Sequence, residues 1–256
     1  MASSKGVALV TGGARGIGRG IALRLADDGF DVAVSDLPGT ADLTVVKKEI
    51  EAKGRRAHVF EGDVSKEQSV IELVDSVVGA LGSLDVMVAN AGIAHLKSIL
   101  DISVEEFERV LAVNVRGVML SYKYAAKQMI AQGRGGRIIG ASSAVGVRGS
   151  GWSFAYSTSK FAVRGMTQAV AEDMGKHNIT VNAYAPGAID TDMYKYMEST
   201  LSKDFGVEVS GMLQHLPITR LGTPADVGHV VSFLASEHGG FVTGQTISVD
   251  GGVHFS

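Results

Sequence analysis

Tyr156 and Lys160 stand four residues apart, so on a helix they share one face. A free tyrosine titrates near about 10 and is a poor base at neutral pH. A neighbouring ammonium favours the phenolate, which predicts that Lys160 lowers the Tyr156 pKa. A tyrosine tuned in this way can take a proton from an alcohol or give one to a carbonyl. Ser143 lies at the end of a predicted strand, where its hydroxyl can hold a substrate oxygen within reach of Tyr156. Asn114 is polar in the middle of an apolar helical stretch formed by Leu111, Val113 and Val115. Alone, Tyr-x-x-x-Lys is an ordinary surface pair and Asn114 a helix-bending residue. Together with Ser143 they describe a site that moves a proton.

A second constellation binds phosphate. Thr11-Gly12-Gly13-Ala14-Arg15-Gly16-Ile17-Gly18 follows an apolar run and opens a helical pattern. A turn without side chains lets backbone N–H groups and a helix N-terminus face an anion. The spacing Gly12-x-x-x-Gly16-x-Gly18 differs from the commoner G-x-G-x-x-G. Asp36 follows Gly16 by 20 residues, at the end of the second predicted strand. A carboxylate there accepts hydrogen bonds from an adenosine ribose diol and repels a 2′-phosphate, favouring NAD over NADP. Arg15 pulls the other way, because a guanidinium beside the turn can pair with a phosphate. The cofactor expected is NAD. It supplies the hydride that a proton-moving site lacks.

The elements that must carry these residues alternate. Strand-like runs at Val7–Thr11, Phe30–Ser35, Ala57–Phe60, Leu84–Ala89, Gly136–Ser142, Ile179–Tyr184 and Thr246–Val249 are separated by helical patterns. Those helices are expected at Gly16–Asp28, Ala41–Lys53, Ser65–Leu81, a long stretch from Ser103 toward Gln132 weakened at Gly117, and Ala155–Met174. Ser103 with Glu106 predicts a capping box, and Thr223-Pro224 with Asp226 starts another helix, running to about Ala235. Apolar strands covered by helices on both faces predict a doubly wound α/β sheet. The expected fold is one Rossmann-type domain over residues 1–256, with seven parallel strands in the order 3-2-1-4-5-6-7. Thr191–Leu216 is too long for an ordinary connection and is the candidate substrate loop.

Composition removes whole classes of function. The 256 residues are 45% hydrophobic and 20% charged, enough for a substantial core. A net charge of -3 with no basic stripe argues against nucleic acid and anionic lipid. No cysteine is present, which excludes disulfides and thiolate chemistry, and no His/Asp/Glu cluster has metal-ligand spacing. Without a signal peptide or a membrane-length apolar run, a soluble cytoplasmic protein is expected.

TGGARGIG at 11–18, Asn90-Ala91-Gly92, Asn114, Ser143, Tyr156-Ser-Thr-Ser-Lys160 and Pro186-Gly187 together resemble the short-chain dehydrogenase/reductase superfamily. The resemblance runs from the first strand to Asp250-Gly251-Gly252. It implies that Asp63 and Val64 contact adenine and that Asn90 lies near the cofactor ribose. Ile189 and Thr191 would hold the carboxamide and phosphate side, beside Pro186 and Gly187. Asn114 would link through water to Lys160, completing a proton relay that runs from Tyr156 through the ribose hydroxyl. Members commonly assemble as dimers or tetramers, so a homotetramer is expected. Phe161, Val163, Met166 and Val170, with the apolar C-terminus around Val253 and Phe255, add to that expectation.

Substrate is less legible. Within the superfamily the chain looks most similar to acetoin/diacetyl reductases, the butanediol dehydrogenases, through Asp36, the 157–165 run and the 243–252 segment. These are scaffold positions. The implied partner is a small secondary alcohol or ketone; a 3-oxoacyl thioester, or a polyol, terpene or steroid alcohol, is the alternative. A non-catalytic NAD sensor would have no need of the proton-handling set. Arg148, Trp152 and Phe154 occupy the expected pocket loop, and His95 reads equally as a substrate contact or a plain loop histidine.

Overall fold

The computed structural model describes residues 4–40, 43–207, 214 and 216–255. Seven parallel strands form one sheet in the order β3-β2-β1-β4-β5-β6-β7. They are β1 (Val7–Thr11), β2 (Asp31–Asp36), β3 (Ala57–Glu61), β4 (Val86–Ala89), β5 (Gly136–Ala141), β6 (Ile179–Pro186) and β7 (Thr246–Val249). The expected order and strand count hold. Boundaries shift by one or two residues: β4 begins at Val86 rather than Leu84, and β6 continues through Pro186.

Side-chain alternation along the strands builds two cores. Ala8 and Val10 of β1 join one cluster, while Val7 and Leu9 join the other. The first face is covered by α1 (Gly16–Asp27), α2 (Leu43–Ala52) and α8 (Pro224–Ala235), through Ile21, Leu25, Val46, Ile50, Val227 and Val231. The second is covered by α3 (Glu67–Leu81), α5 (Gly117–Gln132) and α6 (Phe154–Met174), through Val77, Tyr122, Met129 and Val163. The remaining α-helices among the described residues are α4 (Val104–Leu111) and α7 (Asp192–Phe205). Both predicted helix starts are present. Ser103 and Glu106 cap α4 reciprocally, and Thr223 and Asp226 do so for α8 with proline in its first turn.

The expected helical stretch toward Gln132 is present without a break, but it is not α-helical throughout. A π turn at Ala112–Arg116 separates α4 from α5 and carries Asn114 at its centre. Gly117 follows, and its lack of a side chain has a positive use: a Cβ there would lie 2.9 Å from Val64 Cγ2. The predicted start of α2 at Ala41 falls outside the described residues, as do parts of the 191–216 segment and Ser256. What is described of that segment is largely α7, none of whose residues is fully buried.

Candidate functional site

The strand order reverses between β1 and β4, and the chain's ligand cleft opens there, beyond their carboxyl ends. Its volume is about 560 Å³. The floor is the β1–α1 turn. Gly12 takes φ 63°, in the left-handed region, and a Cβ on Gly18 would sit 2.1 Å from the Gly12 carbonyl oxygen. No other residue fits that approach. The N-terminus of α1 has no side-chain cap and no acidic residue in its first turn. Its uncapped N–H groups and positive dipole end therefore suit an anion.

Asp36 ends β2 at the rim, accepting from the Ala14 N–H at 3.2 Å and the Leu37 N–H at 2.9 Å. Asn90 ends the β4 side and is fully engaged. Its amide donates to the carbonyls of Thr11 (2.8 Å) and Gly12 (3.0 Å), and its oxygen accepts from the Tyr184 hydroxyl at 2.8 Å. Asn90 thus pins the glycine turn to the sheet while also lining the cleft. Gly12, Arg15, Gly16, Ile17, Gly18, Asp36, Asp63, Val64, Asn90, Pro186 and Thr191 all line this one cavity with Tyr156 and Lys160. Gly187 and Ile189 do not. Gly187 packs against Asp250, where a Cβ would come within 2.8 Å, and the Ile189 side chain is buried in the first core.

The proton-handling side is more deeply buried. Tyr156 and Lys160 both face inward from α6, at 8% and 3% exposure. Lys160 Nζ donates to the Ala141 carbonyl at 2.8 Å and lies 5.4 Å from the Tyr156 ring centre. Ser143, just beyond β5, accepts from the Val145 N–H at 3.3 Å and stands close enough to the Tyr156 side chain to favour its phenolate. Asn114 is completely buried. Its amide donates to the Ile93 carbonyl (2.9 Å) and to Ser159 Oγ (3.0 Å), while its oxygen accepts from the Ile93 N–H. The π turn sets it there. Asn114 Oδ1 and Lys160 Nζ flank Gly92, 3.3 and 3.4 Å from where a Cβ would stand.

The electrostatics differ from the simple expectation. Burial pushes the Tyr156 phenol up to about 12, with the nearby Ser143 hydroxyl opposing it only in part. Burial also brings the Lys160 ammonium down to about 8. Lys160 was expected to lower the Tyr156 value; burial raises it instead, and Ser143 is the group that opposes the rise. At neutral pH the phenol keeps its proton and the lysine its charge. That arrangement favours a proton donor.

A nicotinamide dinucleotide fits the residues present. The closed glycine turn and uncapped helix end would take its diphosphate, Asp36 its adenosine ribose, and the α6 side its reactive end. Comparison with known proteins agrees. A family profile described as Enoyl-(Acyl carrier protein) reductase matches residues 12–254. A short-chain dehydrogenase/reductase of Armillaria gallica is 50% identical over 97% of this chain and 96% of its own length. The chain belongs to the short-chain dehydrogenase/reductase family. An L-2,3-butanediol dehydrogenase of Corynebacterium glutamicum is 42% identical over 98% of this chain and 99% of its own. Among solved structures, a blue fluorescent protein from a metagenomic library, in complex with NADPH, superposes with a TM-score of 0.88 at 35% identity, covering 98% and 99% of the two chains.

Several cleft residues of this dehydrogenase/reductase chain were not singled out from sequence. Tyr184 is apolar-looking within a buried strand, and only its bond to Asn90 reveals its use. Ile93 and Ala94 line the cleft after the Asn90-Ala91-Gly92 motif, whereas His95 does not; its Nε2 lies 3.2 Å from Glu106 Oε1, a poorly aligned ion contact. Asp192, Met193 and Tyr196 of α7 also face the cleft, inside the segment whose length had marked it. Phe154 stacks on Phe107 at 5.7 Å, and Trp152 meets Phe205 of α7 at 6.5 Å.

Proposed function

We propose that the protein transfers a hydride between NAD(H) and a small secondary alcohol or ketone, with the acetoin/diacetyl and 2,3-butanediol couples as best candidates. One observation carries this reading: a buried Tyr156–Lys160 pair, with Ser143 beside Tyr156 and Asn114 packed behind it, opens onto the same cleft as a side-chain-free phosphate turn. The bound nicotinamide would supply or accept the hydride. Tyr156 donates its phenolic proton to the carbonyl oxygen as reduction proceeds, and Ser143 holds that oxygen beside it. Lys160 keeps a positive charge close to the phenolate left behind, and Asn114 fixes the loop at Ile93 and the helix at Ser159. Asp36 supports NAD over NADP by charge repulsion, against the pull of Arg15.

Similarity to a 2,3-butanediol dehydrogenase supports the substrate class. The segment at 191–216 is proposed as the substrate loop, since α7 already borders the cleft. The test is a panel of diacetyl, acetoin, 2,3-butanediol and a 3-oxoacyl thioester, each assayed with NADH or NAD and with NADPH or NADP. Highest kcat/KM for a four-carbon substrate with NAD(H) is expected. Highest kcat/KM for the thioester with NADPH would replace this reading with an acyl-chain reductase.

Assembly as a homotetramer in the cytoplasm is part of the same proposal. Met166 and Val170 pack largely on their own core, and Val163 is buried, so they leave little for a partner. Phe161, Phe241 and Phe255 stay exposed at 42%, 104% and 86%, and these are the surfaces an interface would cover. Deleting 253–256 should weaken assembly and lower turnover together. Sedimentation of the full chain at micromolar concentration checks it; a fully active monomer contradicts it.

A further inference from the structure

Arg15 lies on the phosphate turn, where a guanidinium could favour the 2′-phosphate that Asp36 repels. The structure shows where its charge goes. Arg15 Nη1 is 3.5 Å from Asp192 Oδ2, at the start of α7 on the other side of the cleft mouth. Both side chains line the cavity, and both remain solvated, at 58% and 73% exposure. The approach is fixed by neighbours. Thr191 Cγ2 lies 3.4 Å from where a Gly16 Cβ would stand, so α7 begins directly against the turn. The Thr191 hydroxyl caps α7 by accepting from the Tyr194 N–H at 3.2 Å, which sets the direction in which Asp192 leaves the helix. On the other flank, Asp36 is tied to the Ala14 N–H and leaves the Arg15 side chain to Asp192.

We propose that Asp192 is a specificity-determining residue that acts through Arg15. By drawing the guanidinium across the cleft mouth, it withholds a counter-charge from a 2′-phosphate and so reinforces the preference set by Asp36. The inference rests on the reading of this cleft as a dinucleotide site. Its size is bounded, because an exposed pair of this kind is worth at most a factor of about 5. A phosphate offering charge-assisted hydrogen bonds competes for the same guanidinium. Removing the carboxylate therefore frees Arg15 for the phosphate without creating a new contact.

The experiment is calorimetric titration of the full chain with 5′-AMP and with adenosine 2′,5′-bisphosphate, alongside NADH. Five proteins are compared: wild type, Asp192→Asn, Asp192→Glu, Arg15→Ala, and Asp192→Asn placed on Arg15→Ala. Relative affinity for the bisphosphate should rise about 5-fold in Asp192→Asn, stay with wild type in Asp192→Glu, and not move in the Arg15→Ala background. A ratio within about twofold of wild type in Asp192→Asn overturns the inference. So does an equal rise on Arg15→Ala, which would mean simple loss of negative charge. If wild type binds neither NADH nor 5′-AMP, the dinucleotide reading fails and the inference fails with it.

Discussion

The two helices that border the cleft on its reactive side are built in opposite ways. α6 buries Tyr156, Ser159 and Lys160 against β5 and the π turn, and both Ser159 and Lys160 are hydrogen-bonded there. α7 has no fully buried residue; it borders the cleft beside a solvated ion pair to Arg15, and its far end makes a tilted aromatic contact with Trp152. Chemistry in which a displacement of about 1 Å can cost roughly 100-fold in rate belongs on the first kind of element. Selection among related ligands can sit on the second, where an exchange of side chains leaves the core untouched.

Substitutions on the two sides should separate accordingly. The largest effect on cofactor binding is expected at the turn that serves both: Gly18→Ala drives a methyl into the Gly12 carbonyl, so the turn must be rebuilt. Overpacking of this kind costs about 1–3 kcal/mol, which predicts roughly 5- to 150-fold weaker NADH binding by fluorescence titration. Unchanged affinity would show that the turn is not the phosphate site.

The buried side should also show its own pH dependence. Lys160 titrates at about 8, so its charge is present below that pH and lost above it. Because the ammonium stabilises the phenolate formed when Tyr156 gives up its proton, ketone reduction should fall as pH rises through about 8. Tyr156, at about 12, remains protonated throughout that range. A reduction rate that climbs between pH 7 and pH 9, roughly one unit either side of that midpoint, would contradict the charge assignment.

The smallest effect belongs to the exposed side. Trp152→Ala removes its contact with Phe205 of α7. An aromatic pair is worth about 0.5–1.5 kcal/mol, so substrate KM should rise roughly 2- to 10-fold with kcat little changed. A collapse of kcat instead would mean that α7 helps place the reacting groups.

The same contrast explains what could be read from the sequence. The glycine turn, Asp36 and Tyr156 with Lys160 were legible because each carries a local rule: side-chain-free approach, strand-end carboxylate, helical spacing of four. Strand order followed from alternation and from the family resemblance. The π turn was not legible, since Asn114 and Gly117 read as blemishes in a helix until their contacts with Ile93, Ser159 and Val64 are seen. Tyr184 was hidden for a similar reason, as its hydroxyl finds Asn90 across the sheet. The sign of the Tyr156 shift depended on burial, which spacing does not report.

The central claim is that Tyr156 is the proton donor beside a separately built dinucleotide cleft. Tyr156→Phe keeps the ring and removes the hydroxyl, so NADH affinity and diacetyl reduction should be measured on the same preparation. NADH binding should stay within about threefold of wild type while kcat falls about 1,000-fold, the scale of lost general acid catalysis. Wild-type kcat in Tyr156→Phe, with binding intact, would contradict the account.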